Sequence, residues 1–233
     1  MSATQEKVIA YEAGAKLPLA YNAIQLNAAG FYYDYSDKQV RGRILDPIFG
    51  LLEKLLNVPK SYVYGFEAEL VARPVDGLRL SAGATYLKSK VTSDYSVTPD
   101  GVPIYNAAGY TGNFRGSALP YTPKFTANAD VQYDFPISSD WTAFVGGSVS
   151  YQGTQNTTFH NANLPARDFK MEDYATLDVR AGISSADDRW RLTAFGRNVT
   201  NESYVTGVSI LIDTLVRYRG KPTVYGLSVG YRF

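Results

Sequence analysis

The sequence predicts an all-β chain, an antiparallel meander of about nine strands that forms part of a transmembrane β-barrel. Three observations predict it. Apolar and polar residues alternate with period two through segment after segment, the spacing of a strand with two unlike faces. The connections between these segments alternate, short then long, along the whole chain. In the last ten residues, 224–233, Tyr225, Leu227, Val229, Tyr231 and Phe233 fall on one face and Val224, Gly226, Ser228, Gly230 and Arg232 on the other. A soluble sandwich turns such an apolar face inward, whereas an outer-membrane barrel turns it to lipid and keeps the small or polar face in the lumen.

Composition narrows the choices. Lys and Arg number 23 against 22 Asp and Glu, a balance that argues against a general nucleic-acid binder. There is no cysteine, so disulfides and thiolate chemistry are excluded. No apolar run approaches the roughly 18–20 residues that a membrane-crossing helix needs. The 19 tyrosines fit a wall that meets water at two interfaces. Residues 1–7 have no apolar core of signal-peptide type, so they read as a disordered or cut lead, and an exported form is expected to begin upstream.

The elements follow in order. Residues 8–18 alternate, Tyr11, Ala13, Ala15 and Leu17 against Glu12, Gly14 and Lys16. A short turn leads to a strand from Ile24 to about Val40, whose far end (residues 31–35) is aromatic on both faces. Residues 46–60 change period: Ile48, Leu51, Leu52, Leu55 and Leu56 have helical spacing between Pro47 and Pro59, which predicts a short amphipathic helix packed on its own loop. Strands are expected over 61–73 and 78–88, joined by the turn 74–77. Residues 91–119 are a long polar loop. Strands 121–135 and 141–152 follow around a short turn. A second long loop, 153–172, precedes strands 174–184 and 190–198, and a third, 199–222, precedes the last.

In a meander, this order puts every short turn at one rim and every long loop at the other. Transmembrane barrels show that asymmetry, with short periplasmic turns and longer extracellular loops. Charges such as Glu12, Lys16, Glu67, Glu69, Arg79, Lys124, Asp130, Asp178, Arg180, Arg191, Arg197 and Arg232 all share the face opposite the aliphatic one. A soluble two-layer fold would also solvate that face, so parity alone does not decide; the sorting of the loops favours the barrel.

Five segments taken together resemble the C-terminal part of a TonB-dependent outer-membrane receptor: YEAGAKLPL with LNAAGFYYDYSDKQV, GFEAELVARPVDGLRLSAGATY, LPYTPKFTANADVQYDF, WRLTAFGRNVTNESY and VYGLSVGYRF. The resemblance implies a 22-stranded barrel with an N-terminal plug, energised through a TonB contact in the periplasm of a bacterium. It implies that residues 8–233 are the C-terminal section of that wall, with the plug, the remaining strands and the TonB contact outside this chain. It also implies that Tyr225, Leu227, Val229, Tyr231 and Phe233 face lipid and are read by the barrel assembly machinery. The implied function is active uptake of a scarce nutrient such as a ferric siderophore, at the cell outer membrane. A structural or adhesive barrel, or a passive porin, is the alternative. Nine strands are odd and too few to close such a barrel, so the chain reads as a fragment.

No catalytic or metal constellation is present in the sequence, and neither an enzyme nor a cofactor is expected. His160, the one histidine, lies in a polar loop without cysteine or a carboxylate cluster. Two further readings stay open. Tyr95, Tyr105, Tyr110, Phe114 and Phe159 either contact a ligand at the outer rim or pack the loops together. Glu67, Glu69, Arg180, Arg197 and Arg232 either face a plug or neutralise neighbours across the wall.

Overall fold

The computed structural model describes residues 3–21, 23–160, 166–211 and 214–233. The elements are β1 (Lys7–Leu19), β2 (Ile24–Asp46), β3 (Gly50–Ala72), β4 (Leu78–Val91), β5 (Ile104–Tyr105), β6 (Phe125–Pro136), β7 (Trp141–Gln152), β8 (Gln155–Asn156), α1 (Ala166–Phe169), β9 (Lys170–Met171), β10 (Tyr174–Ser185), β11 (Trp190–Arg197), β12 (Val205–Leu211), β13 (Thr214–Arg219) and β14 (Val224–Tyr231). One antiparallel sheet runs β1-β2-β3-β4-β6-β7-β10-β11-β14, each strand beside its predecessor in the wall. The expected all-β meander of nine wall strands is therefore observed. The small strands belong to the long loops: β5 joins the upper part of β2, β8 pairs with β9, and β12 with β13.

The amphipathic helix expected over 46–60 is absent, and these residues are strand apart from a turn at 47–49. β2 and β3 continue to a tight turn, pairing from Ile24↔Ala72 to Asp46↔Gly50, so the connection expected to be a long loop is a tall hairpin. Asp46 Oδ1 accepts the amides of Ile48 and Phe49, both at 2.9 Å, and Gly50 turns the chain at φ +77°, a conformation that costs glycine little. The helical spacing arises because both faces of the upper hairpin carry leucine, Leu51 and Leu55 on one and Leu52 and Leu56 on the other. Asp37 sits at φ +55° opposite Pro59, which has no amide to give to the ladder. Below this break Val63 points inward on β3; above it Leu56 and Val58 do.

The wall has two unlike faces, neither covered by another layer among the described residues. Leu227 and Val229 are 77% and 68% exposed, and Val145, Leu177, Val179 and Leu192 are also exposed. A soluble sandwich would bury such residues; a wall in lipid presents them. Aromatic side chains bracket this band. Toward the short turns lie Tyr133, Phe135, Trp141, Trp190 and Tyr231; toward the loops lie Tyr11, Tyr32, Tyr64, Tyr86, Phe125 and Tyr151. From Trp141 to Tyr151 the strand rises roughly 34 Å at about 3.4 Å per residue. A tilt of roughly 40° reduces that to about 25 Å, the height of an outer-membrane apolar band.

On the lumen face, close packing is local. Phe144 is buried over Gly182, and the Arg191 guanidinium stacks 4.1 Å from its ring centroid. A Cβ at Gly182 would press on the Phe144 ring and on the Leu192 carbonyl oxygen. At Gly230 a Cβ would meet nothing nearer than 3.9 Å. Gly182→Val is expected to destabilise the wall by about 1–3 kcal/mol, and Gly230→Ala by less than about 0.5 kcal/mol, read as shifts in urea midpoint in lipid vesicles.

Candidate functional site

The buried core of the molecule lies in the loops, above the wall. Tyr95, Phe114 and Phe159 pack with Leu56, Val58, Val91, Ile104 and Leu119. Their ring centroids are 5.6–6.0 Å apart, with Tyr95 edge-on to Phe159. Three of the five loop aromatics singled out in the sequence thus come together and hold the loops to one another. Tyr105 pairs in β5 opposite Arg43, and Tyr110 stays 40% exposed with its ring 6.2 Å from Phe169. Burial pushes the Tyr95 hydroxyl pKa up from its ordinary value.

Asn106, also buried, ties this core together. Its Nδ2 donates to the Phe159 carbonyl at 2.7 Å, and its Oδ1 accepts the amides of Ala108 and Tyr110, both at 3.0 Å. The Ser117 hydroxyl donates to the carbonyl of His160, and His160 Nδ1 lies 3.5 Å from Asn156 Nδ2. A second small core of Ala108, Phe169, Met171 and Val208 joins all three long loops.

Between these cores and the tall hairpin lies a cavity of about 620 Å³. Its lining includes the charged Lys38, Arg41, Arg43 and Glu53, the polar Tyr121, Thr157 and Thr158, and the apolar Phe169, Val208, Ile210 and Leu211. Arg41 and Arg43 share Glu53: Arg41 Nε donates to Oε2 at 3.1 Å and Arg43 Nη2 lies 3.6 Å from Oε1. The Arg41 hydrogen bond, ahead of the charge of both arginines, holds the Glu53 carboxyl below its usual pKa range. Lys38 is paired with Glu6 at 3.3 Å, so three cations stand against two carboxylates, an excess of one positive charge. Arg43 Nε and Thr158 Oγ1 are buried without hydrogen-bond partners among the described residues.

The lumen face below holds charges in mutual contact. Arg180 grips Asp130 with both Nη atoms, at 2.7 and 2.8 Å, and donates from Nε to Gln132 at 3.0 Å. Arg79 meets Asp134 at 2.7 Å, and Gln132 Nε2 donates to the same carboxylate at 3.0 Å. Glu69 accepts from Asn27 Nδ2 at 3.2 Å, while Glu67 lines an open trough with Glu12 and Lys16. Arg197 stacks 5.3 Å from the Phe195 ring centroid, and the Arg232 amide closes the rim by donating to the Arg189 carbonyl. The terminal-strand residues Tyr225, Leu227, Val229, Tyr231 and Phe233 lie exposed on the outer face, Tyr231 packed 4.6 Å from Trp190.

Sequence reasoning missed Arg41, Arg43, Glu53 and Asn106. The first three lay where a strand end and a helix were expected, and only the continued hairpin brings them together. Asn106 carried no sequence signal that separates it from other polar loop residues. Thr4 and Glu6 of the expected lead are tied down: Thr4 N donates to Asn57 Oδ1 at 2.9 Å, and Glu6 meets Lys38 at 3.3 Å.

A family model described as TonB dependent receptor-like, beta-barrel, matches residues 4–199. The ferric-pyoverdine M114 receptor PbuA of Pseudomonas sp. (strain M114) is 25% identical over 174 residues, covering 75% of this chain and 18% of that receptor. The ferrichrome receptor FcuA of Yersinia enterocolitica is 29% identical over 186 residues, covering 75% of this chain and 21% of that receptor. The chain thus spans about a fifth of the length of these relatives. Among solved structures, the ferric yersiniabactin uptake receptor FyuA from Yersinia pestis aligns at TM-score 0.75 and 21% identity, over 98% of this chain and 30% of that one. A copper transporter, OprC, aligns at TM-score 0.69 and 16% identity, over 98% and 31%. These likenesses extend the fold across nearly the whole sheet.

Asn106→Ala removes three loop hydrogen bonds and leaves a buried carbonyl unpaired. Its expected cost is roughly 2–4 kcal/mol of local loop stability, seen as faster amide exchange over residues 106–117 with the wall strands unchanged.

Proposed function

Because this chain belongs to the TonB-dependent receptor β-barrel family, we propose that it supplies the C-terminal section of the wall, and part of the ligand site, of an energy-coupled uptake receptor for a ferric siderophore. The protein is an outer-membrane β-barrel protein, and its relatives are transport receptors. One observation carries the ligand reading: a positively charged, partly apolar cavity of about 620 Å³ at the loop end of a transmembrane wall. A metal chelate wrapped in anionic oxygen donors and an apolar frame matches that mixed lining. No bond of the cargo is made or broken; the residues at the cavity bind and release.

In this reading the free edges of β1 and β14 pair with further wall strands, which completes a barrel that nine strands cannot close. Glu67, Glu69, Arg197 and Arg232 face a plug inside the lumen, with Arg180 already held by Asp130. The row Tyr225, Leu227, Val229, Tyr231 and Phe233 contacts lipid and serves as the assembly signal. Tyr110, with its exposed ring, is the loop aromatic best placed to touch the ligand, and TonB supplies the energy through a part of the receptor outside this wall.

Arg43→Gln is expected to raise the half-saturating concentration for radioiron uptake by about tenfold, the loss of one charge-assisted hydrogen bond, with the amount of protein in the outer membrane unchanged. Uptake of every ferric siderophore tried that is indifferent to deleting the protein would overturn the reading.

A further inference from the structure

The inner face of β2 carries a row of aromatic rings where the wall meets the loops, and neither buried loop core includes them. Phe31, Tyr33 and Tyr35 follow one another with period two, so they share a face. The ladder registers say which face it is. Phe31 lies between Glu12 and Gly65, and Tyr33 between Ala10 and Val63, which puts the three rings on the lumen side with Glu12 and Val63. The Phe31 and Tyr33 rings stack at 5.1 Å with their planes 23° apart, and Tyr35 meets Tyr33 edge-on at 6.5 Å. The Phe31 ring lies over Gly65, where a Cβ would come within 2.7 Å of its tip. All three side chains are half-buried, which leaves ring surface open to the lumen.

This ladder joins two spaces. At its upper end Tyr35 and Lys38 line the loop cavity, and Lys38 Nζ stands 3.9 Å over the Tyr35 ring centroid while pairing with Glu6 at 3.3 Å. At its lower end the Tyr33 hydroxyl donates to Glu12, which lines the open lumen trough. From Phe31 to Tyr35 the strand rises roughly 14 Å at about 3.4 Å per residue. Successive rungs thus stand one ring contact apart between cavity and trough, and their open surface is an unfilled stacking platform.

We propose that Phe31, Tyr33 and Tyr35 form a stacking station for a chelate that bears aryl rings, a ferric phenolate or catecholate, between the loop cavity and the lumen. Two features select that class. A ring offers offset or edge-on stacking to another ring, and only contact area to an aliphatic hydroxamate. The Lys38 ammonium stands beside the rungs, as the anionic oxygens of a phenolate or catecholate chelate stand beside its own rings. The inference rests on the uptake reading above and narrows its ligand.

The test is radioiron uptake by cells in which the full-length receptor that carries this chain is the one siderophore receptor present. The probes are a ferric tris-catecholate, a ferric salicylate-type phenolate, and the ferric complex of desferrioxamine B, an aliphatic trihydroxamate. Receptor-dependent uptake is expected for at least one of the aryl chelates, and at least about tenfold less for the hydroxamate. Phe31→Leu with Tyr35→Leu keeps charge and apolar character but removes two rings. It is expected to lower uptake of the aryl chelate about tenfold at limiting concentration, with the amount of receptor in the outer membrane unchanged. Tyr35→Phe, which keeps the ring, is expected to hold uptake within about twofold. Hydroxamate uptake equal to that of the aryl chelates overturns the inference without any variant and leaves the uptake reading standing. So does aryl-chelate uptake that the double Leu replacement leaves within about twofold. Uptake of all three chelates that is indifferent to the receptor overturns the uptake reading and this inference with it.

Discussion

The structure rests on one constraint: a sheet that crosses lipid must satisfy its backbone amides and carbonyls within itself. The ladder from β1 through β14 does this strand by strand, with each wall strand paired to its sequence neighbour in the wall. Because the pairing is antiparallel and in register over long stretches, the two faces are fixed at every row. One face carries Leu, Val, Ala and aromatic residues. The other carries Glu67, Glu69, Asp130, Arg180 and the small residues that let Phe144 lie flat.

Sorting of the connections follows from the same constraint. Short turns close one rim with local bonds, as where Ser185 Oγ accepts the Trp190 amide at 2.9 Å and Asp187 Oδ1 accepts the Arg189 amide at 3.1 Å. The long connections are free to grow at the other rim, where water satisfies the backbone. There they build the core that the wall lacks, around Tyr95, Phe114 and Phe159 and the buried amide of Asn106. The cavity exists because that loop core meets a hairpin tall enough to bring Arg41 and Arg43 up beside it.

The wall was legible in the sequence, since period-two alternation, loop sorting and the terminal aromatic strand all report local face and register. Residues 46–60 were not. The upper hairpin carries leucine on both faces, Leu51 and Leu55 on one and Leu52 and Leu56 on the other, a pattern that reads as helical spacing, and pairing with β2 overrides it. The loop cavity was equally hidden. Its charged lining is assembled by cross-strand contacts between Arg41, Arg43 and Glu53, and the rest by loops whose composition gives no period. Burial of Tyr95, Phe114 and Phe159, against exposure of Tyr110, depends on how separate loops meet, which composition does not encode.

The central claim is that the aliphatic face of this sheet lies in lipid and the charged face in the lumen. The chain has no cysteine, so single cysteines can carry a spin label cleanly. With the protein in outer-membrane lipid, labels at Leu177, Val179 and Ala181 are compared with labels at Thr176, Asp178 and Ser148, reading collisions with oxygen and with a water-soluble nickel chelate. The account expects strong oxygen and weak nickel collisions at the first three sites, and no such oxygen preference at the others. Nickel collisions dominating at Leu177, Val179 and Ala181 would contradict it.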